Sequence, residues 1–286
     1  MWYPVSDAAS HPRLLDLPRD ETGLATTRVA LRRLQELLPE FLRDLVSEAE
    51  ATGLVVPLDG GVASAAAAAL AVDAVGAEDV VAVTMPAGLA DEATTRTAEA
   101  VAEMLDVEHR RLQLQPLVRA FQEVVGESGG PADDLVATDN AVARFRTATT
   151  YYVANRRDAL VVGPVTRTDR LLGSARKYGE TGVDCFLFGD CYRTEVRALA
   201  EALDLPVDLL DSGPAPGSER TGDPQRLGVA AETVDRALRL HIDEGRGPSA
   251  VADRLGVDRS VVTRLAAWCD ATRHKRHQPP KPSTNR

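Results

Sequence analysis

Asp59-Gly60-Gly61-Val62-Ala63-Ser64 is the stretch whose residue types and order point most directly to chemistry. It follows a short apolar, β-favouring run, Leu54 to Leu58, and precedes an Ala-rich helix former that ends at Gly76. Two adjacent glycines let the backbone turn sharply and approach a ligand closely. Strand, glycine turn and helix together present free N–H groups at a helix N-terminus, and such groups hold anions. The reading is a phosphate or pyrophosphate site over residues 59–64. The plainer alternative is a tight turn that binds nothing. The stretch is not a Walker loop, because no Gly-Lys-Ser/Thr follows.

The other candidates are cations. Lys177, Lys275 and Lys281 are the only lysines, against 30 arginines. A chain that uses Arg nearly everywhere but keeps Lys177 points to a need for a compact ammonium there. Lys177 opens a polar, Gly-containing segment that runs to Asp184, longer than a simple turn requires. Arg144 and Arg146 lie on an expected helix. The tail Arg273-His274-Lys275-Arg276-His277 precedes Pro279-Pro280. It suits a phosphate or dinucleotide, a nucleic acid, or simply solvent.

These residues need a scaffold that brings them to one edge. Leu31, Leu34, Leu38, Phe41, Leu42 and Leu45 fall at helical spacing within residues 26–51, with a kink or break expected at Pro39. Strands are expected at 54–58, 79–85, 110–114 and 159–163. Helices are expected between them at 65–75, 91–105, 116–125 and 138–155. This alternation implies an α/β fold, a parallel sheet with helices on both faces. Ligands of such sheets bind beyond the C-terminal strand ends, where Gly60-Gly61, Met85-Pro86 and Gly163-Pro164 fall. After Gly163 the periodicity breaks, and residues 170–189 read as a long loop. Helices follow at 190–203 and 229–243, around a Pro/Gly/Ser-rich stretch at 211–224 that could act as a lid. Residues 247–272 read as a helical hairpin turning at Gly256-Val257. That hairpin is either an ordinary closing element or a helix-turn-helix that binds DNA. The expected organisation is an irregular arm over 1–21, one domain over 22–272 and a basic, Pro-rich tail over 273–286.

Composition narrows the class. With 286 residues and 44% hydrophobic content the chain can bury a sizeable core, and with 4% aromatics that core is Ala, Val and Leu. A net charge of −10 opposes general nucleic-acid binding. An acidic, Lys-poor chain suits a salt-rich cytosol, although high genomic GC content gives a similar bias. Cys185, Cys191 and Cys269 have neither metal spacing nor a disulfide framework. No apolar run has the length of a membrane span, and residues 1–20 lack a signal-peptide core. The expectation is a soluble, cytoplasmic protein.

Residues 59–64 resemble the Ser-Gly-Gly-x-Asp-Ser loop of the ATP pyrophosphatases. Three further stretches extend the likeness from about residue 30 to about residue 282. Asn140-Ala141-Val142-Ala143-Arg144-Phe145-Arg146 is similar to Gly-Asn-x-x-Ala-Arg-x-Arg. Lys177-Tyr178-Gly179-Glu180-Thr181-Gly182-Val183-Asp184 is similar to Lys-Tyr-Gly-Asp-Gly-Gly-x-Asp. Phe188-Gly189-Asp190-Cys191-Tyr192-Arg193-Thr194-Glu195-Val196 is similar to Ile-Gly-Asp-Leu-Tyr-Lys-Thr-x-Val, and the tail resembles a His-Lys-Arg ending. The chain thus resembles the ammonia-dependent NAD synthetases, most closely their archaeal form.

That resemblance implies an adenine-nucleotide α-hydrolase-like (ATP pyrophosphatase) fold, usually a homodimer. It implies ATP and Mg²⁺, with nicotinic acid adenine dinucleotide and ammonia as the other substrates. By position, Arg144, Lys177, Asp184, His274 and Lys275 would bind the deamidated dinucleotide. Gly60, Gly61, Val62 and Ser64 would cradle pyrophosphate, and Arg193 would replace an ATP-contacting Lys. Asp169 stands where the family has a metal-binding Glu. Departures gather on the ATP side. Asp59 replaces the first loop Ser, Ala63 replaces the loop Asp and cannot ligate Mg²⁺, Pro164 replaces a Thr, and Ala215 replaces a Ser. Two readings follow: an enzyme in which Asp59 takes over the metal-ligand role, or an impaired relative that binds a dinucleotide or a paralogous synthetase.

Overall fold

The structure is a computed structural model and describes residues 17–88, 91–127, 134–210, 228–277, 279 and 282. Five strands form one parallel sheet: β1, Leu54–Pro57; β2, Val80–Thr84; β3, Glu108–Arg111; β4, Leu160–Gly163; and β5, Cys185–Phe186. Their order is β3-β2-β1-β4-β5, with Val56 opposite Ala82 and Val55 opposite Val161. The sheet is the one expected, with β1 at its centre. Its edges differ from expectation. β3 pairs as Glu108-His109-Arg110-Arg111, a charged edge strand without an apolar run, and the amides of Leu112 and Leu114 then continue to the carbonyls of Thr84 and Pro86 at 2.8 and 2.9 Å. β5 is only two residues long, too short to show in a pattern.

Twelve α-helices are described: α1, Arg28–Glu48; α2, Val62–Val75; α3, Glu92–Met104; α4, Gln115–Glu127; α5, Leu135–Arg157; α6, Arg167–Leu172; α7, Arg193–Ala202; α8, Val207–Leu210; α9, Ala231–Leu238; α10, Pro248–Leu255; α11, Arg259–Ala271; and α12, Arg273–Arg276. A π-turn, Arg239–Asp243, extends α9. α1 runs unbroken through Pro39, against the expected kink. The proline removes one helix hydrogen bond, but Leu34, Leu38, Pro39 and Leu42 form a buried stripe packed on α2, and that packing holds the axis.

α2 determines the frame of the site. Its alanines 65–68, with Leu70, Ala71 and Ala74, are buried, so the helix is covered on nearly every side. Small side chains let the sheet, α1 and α7 approach it closely. Along β1, Leu54 and Val56 face this side, while Val55 faces the other, where Val81, Val83 and Val161 pack on Val153 and Ala154 of α5.

A separate core lies among α6, α9, α10 and α11. Leu171 and Leu172 of α6, Val234 and Leu238 of α9, Val251 of α10, and Val262, Leu265 and Cys269 of α11 meet there. The C-terminal hairpin therefore spends its apolar faces closing this core, as an ordinary hairpin does. The expected loop 170–189 also gives way at its start to α6. Thr166 and Asp169 form a capping box there, and Gly173 ends the helix in a left-handed conformation. No described helix is long and apolar enough to cross a membrane. The expected lid at 211–224 and the arm before residue 17 lie outside the described residues.

Candidate active site

The loop that joins β1 to α2 leaves the carboxyl end of the central strand, as the sequence pattern requires. Gly60 has φ +82°, and a β-carbon there would lie 2.3 Å from the carbonyl oxygen of Thr94 on α3. Only glycine fits that close approach. The loop is held from within by its own acid. Asp59 Oδ1 accepts the Gly61 amide at 2.9 Å and the Ser64 hydroxyl at 2.6 Å. Ser64 Oγ also reaches the Gly61 carbonyl at 3.0 Å. Ser64 is buried, while Asp59 is exposed. Val62 and Ala63 form the first turn of α2, and the methyl of Ala63 offers no donor or acceptor.

β4 is the neighbour of β1, and its loop leads into α6 and Asp169. Both carboxylate oxygens of Asp169 are engaged. Oδ1 accepts from Arg193 at 2.6 Å and Ser174 at 2.9 Å, and Oδ2 accepts from Thr166 Oγ1 at 2.5 Å and the Thr166 amide at 3.2 Å. Burial pushes this carboxyl up. The Arg193 charge, with the hydrogen bonds from Thr166, Arg193 and Ser174, outweighs burial and holds it below the usual range. The expected metal residue and the expected ATP-side cation are thus an ion pair. Among the described residues no three His, Cys, Asp or Glu side chains group as metal ligands. With Ala63 in the loop and both Asp169 oxygens engaged, the carboxylates of the described residues do not group to hold a resident Mg²⁺.

Behind Arg193 stands a residue the sequence reading missed. Asp235 of α9 is 0% exposed. It accepts from the Thr194 amide at 2.8 Å, Thr194 Oγ1 at 2.6 Å and Thr168 Oγ1 at 2.7 Å, and Thr168 Oγ1 accepts the Arg193 amide at 2.9 Å. The carboxylate thereby fixes the first turn of α7, next to Arg193. Burial pushes its carboxyl above the usual range against these donors. Nothing in the local sequence marks it. The capping box Thr166-x-x-Asp169, by contrast, is readable in advance.

The dinucleotide-side candidates converge elsewhere, where α5, the 176–182 loop and the tail meet. Arg144 donates to the carbonyls of Asn140 at 2.9 Å and Lys177 at 3.1 Å. Lys177 Nζ donates to the carbonyls of His274 at 2.9 Å and His277 at 3.2 Å, and lies 5.3 Å from the Tyr178 ring centroid. Lys275 Nζ caps the Gly173 carbonyl at the end of α6, and burial, then the nearby Arg176 charge, lowers its ammonium pKa. His274 Nδ1 contacts the Ala271 carbonyl at 3.1 Å. Arg176, unremarked in the sequence, pins the loop through Glu180 and Asp139.

Asp184 is placed differently. It accepts from Tyr151 at 2.9 Å and from the Val161 amide at 2.7 Å, beside the middle of β4. Arg146 turns to the carboxyl edge of β2, donating to the Met85 carbonyl at 3.2 Å and pairing with Asp91 at 3.0 Å. Among the described residues no hydrogen bond or ion pair joins the Lys177 cluster to the 59–64 loop. Ala215 lies outside the described residues. The three cysteines are buried and free, and burial pushes the thiols up, Cys185 to about 12 and Cys269 to about 11, which makes them poor nucleophiles.

Comparison with known proteins gives this arrangement a family. The family model described as NAD synthase matches residues 34–279. The NH(3)-dependent NAD(+) synthetase of Halobacterium salinarum is 36% identical over 254 residues, covering 88% of this chain and 93% of that protein. That of Methanosarcina mazei is 33% identical over 255 residues, covering 88% and 98%. Among solved structures, NMN synthetase from Francisella tularensis matches with a TM-score of 0.73 and 26% identity, covering 89% of this chain and 99% of that one. The NH3-dependent NAD synthetase of Campylobacter jejuni, at 23% identity and the same TM-score of 0.73, shares the fold. By its extent and by these relatives, the chain belongs to the NAD synthase family.

Proposed function

We propose that this protein amidates nicotinic acid adenine dinucleotide with ammonia at the expense of ATP. A carboxylate oxygen of the substrate attacks the α-phosphorus of ATP, the bond to the pyrophosphate oxygen breaks, and an acyl-adenylate forms. Ammonia then attacks the acyl carbon, the bond to AMP breaks, a proton is lost, and the amide remains. The family uses ATP and, typically, Mg²⁺. The observation that carries the reading is that the backbone-amide loop after β1 and Asp169, which follows β4 and is bonded to Arg193 of α7, come from the carboxyl ends of two neighbouring strands. In this reading the Gly60, Gly61 and Ser64 donors face the departing pyrophosphate. Arg193, released from Asp169, would answer the charge that develops there. Arg144 and Lys177 would hold the dinucleotide phosphates, with His274, Lys275 and Asp184 around them.

A homodimer working in the cytoplasm belongs to the same reading. Leu117 and Val124 of α4 and Leu135, Val136 and Tyr152 of α5 are large apolar residues on the surface, Leu135 at 82% exposure. Exposed apolar residues on these two helices suit a second copy of the chain.

The test is amide formation from the deamidated dinucleotide, ATP, Mg²⁺ and ammonia, with nicotinic acid mononucleotide as the competing substrate. We expect product from the dinucleotide, with release of pyrophosphate and AMP. Product from the mononucleotide alone reassigns the substrate, and no product from either refutes the reading.

A further inference from the structure

We infer that Asp59 sets the affinity of the 59–64 loop for the phosphates it receives. Its carboxylate is a built-in anion that any phosphate group must displace to reach the Gly61 amide and the Ser64 hydroxyl. The inference rests on the reading of this loop as the triphosphate cradle.

One oxygen, Oδ1, takes both donors, at 2.9 Å from the amide and 2.6 Å from the hydroxyl. These partners belong to the loop itself, and no cation is among them. The backbone cannot retreat to open more room. Gly60 is wedged on the Thr94 carbonyl of α3, and α2 behind it is buried on nearly every side. The Asp59 side chain is the exposed, movable part. An incoming anion therefore meets one of two obstacles. With Asp59 in place it faces a like charge within a hydrogen bond's length of its donors. With Asp59 swung into water, two hydrogen bonds, one of them from a buried hydroxyl, are broken first. Both lower the affinity for the tail of a triphosphate and for free pyrophosphate. Asp59 thus sets a high requirement for ATP and speeds departure of the leaving group.

The experiment titrates inorganic pyrophosphate into the full chain by calorimetry, first with a chelator present and then with Mg²⁺. The proteins are wild type, Asp59→Asn and Asp59→Ser. Asn keeps the oxygen that accepts from Gly61 and Ser64, removes the charge and exchanges the other oxygen for an amide nitrogen, so the loop keeps its shape. Ser removes the occupying group as well. The expected order of affinity without Mg²⁺ is wild type, then Asn, then Ser, with at least about a tenfold gain from wild type to Asn. Affinity for the deamidated dinucleotide should stay unchanged in both variants. Equal or weaker pyrophosphate binding by Asp59→Asn overturns the inference, as does failure of all three proteins to bind. A wild type that gains on Mg²⁺ while Asp59→Asn loses makes Asp59 a metal ligand and overturns it too. Failure of the amidation assay alone, with the affinity order intact, removes the proposed reaction and leaves the role of Asp59 standing.

Discussion

The two halves of the candidate site solve opposite electrostatic problems in different ways. In the 59–64 loop the donors are one backbone amide, of Gly61, and one hydroxyl, of Ser64, and the Asp59 carboxylate accepts from both. Around Lys177 the donors are cations, and among the described residues Lys177 and Arg144 donate to neutral carbonyls. An arriving phosphate offers the loop nothing it lacks, since it exchanges one anion for another. The same phosphate offers Lys177 and Arg144 an opposite full charge in place of a carbonyl dipole. The same fold therefore carries one half that resists anions and one half that is ready for them. The charge of the resident partner, more than the number of donors, makes the difference.

The largest expected effect strikes the support of the loop side. Asp235→Ala removes the acceptor of the Thr194 amide and of two hydroxyls, one of them, on Thr168, buried, and should cost about 2–4 kcal/mol in urea unfolding. A loss under about 0.5 kcal/mol would show that α7, and Arg193 with it, is held by other means.

Next, Lys177→Ala should weaken the deamidated dinucleotide by about 10- to 100-fold, or about 1.5–3 kcal/mol. Unchanged affinity in a titration would break the contrast outright. Gly60→Ala should cost about 1–3 kcal/mol through the positive φ and the clash with Thr94. Gly88→Ala, with open space around it, serves as the control and should stay within about 0.5 kcal/mol. Equal melting of the two would mean the loop is not wedged.

The smallest effects are in pH, and they run in opposite directions. Asp169 is depressed below the ordinary 3.8, so its contribution is present above that value and is lost as pH falls through the lower folded pKa. Asp235 is raised above 3.8, so the folded state keeps a proton that the unfolded state has lost, and stability declines as pH rises through that window. Melting curves of Asp169→Asn and Asp235→Asn should each lose one of these slopes. A variant that keeps both slopes would assign them to other groups.

Much of the sheet and the loop was legible because each is written locally. Val55 and Val56, Val80 to Val83 and Leu160 to Val162 are apolar runs, and Gly60-Gly61 is a turn signal at a strand end. The charged edge strand at Glu108–Arg111 and the two-residue β5 carry no such run, so pairing alone defines them. Lys177 was legible through the rarity of lysine, yet its partners, carbonyls about a hundred residues away in the tail, were not. Asp235 was invisible for a plainer reason. An aspartate inside an amphipathic helix looks solvated until α6 and α7 cover it. Asp169 was legible as a carboxylate near the site but not as the partner of Arg193, which only the packing of α6 on α7 creates.

The alanine helix behind the loop has one more consequence. Because α2 is set by methyl groups against the sheet and its neighbours, its position does not depend on what the loop in front of it binds. Asp59 and Ala63 can thus rewrite the chemistry of the cradle while every strand stays in register. Within this architecture, inheritance of shape and inheritance of activity are separable, and a few codons at the mouth of one buried helix suffice to part them.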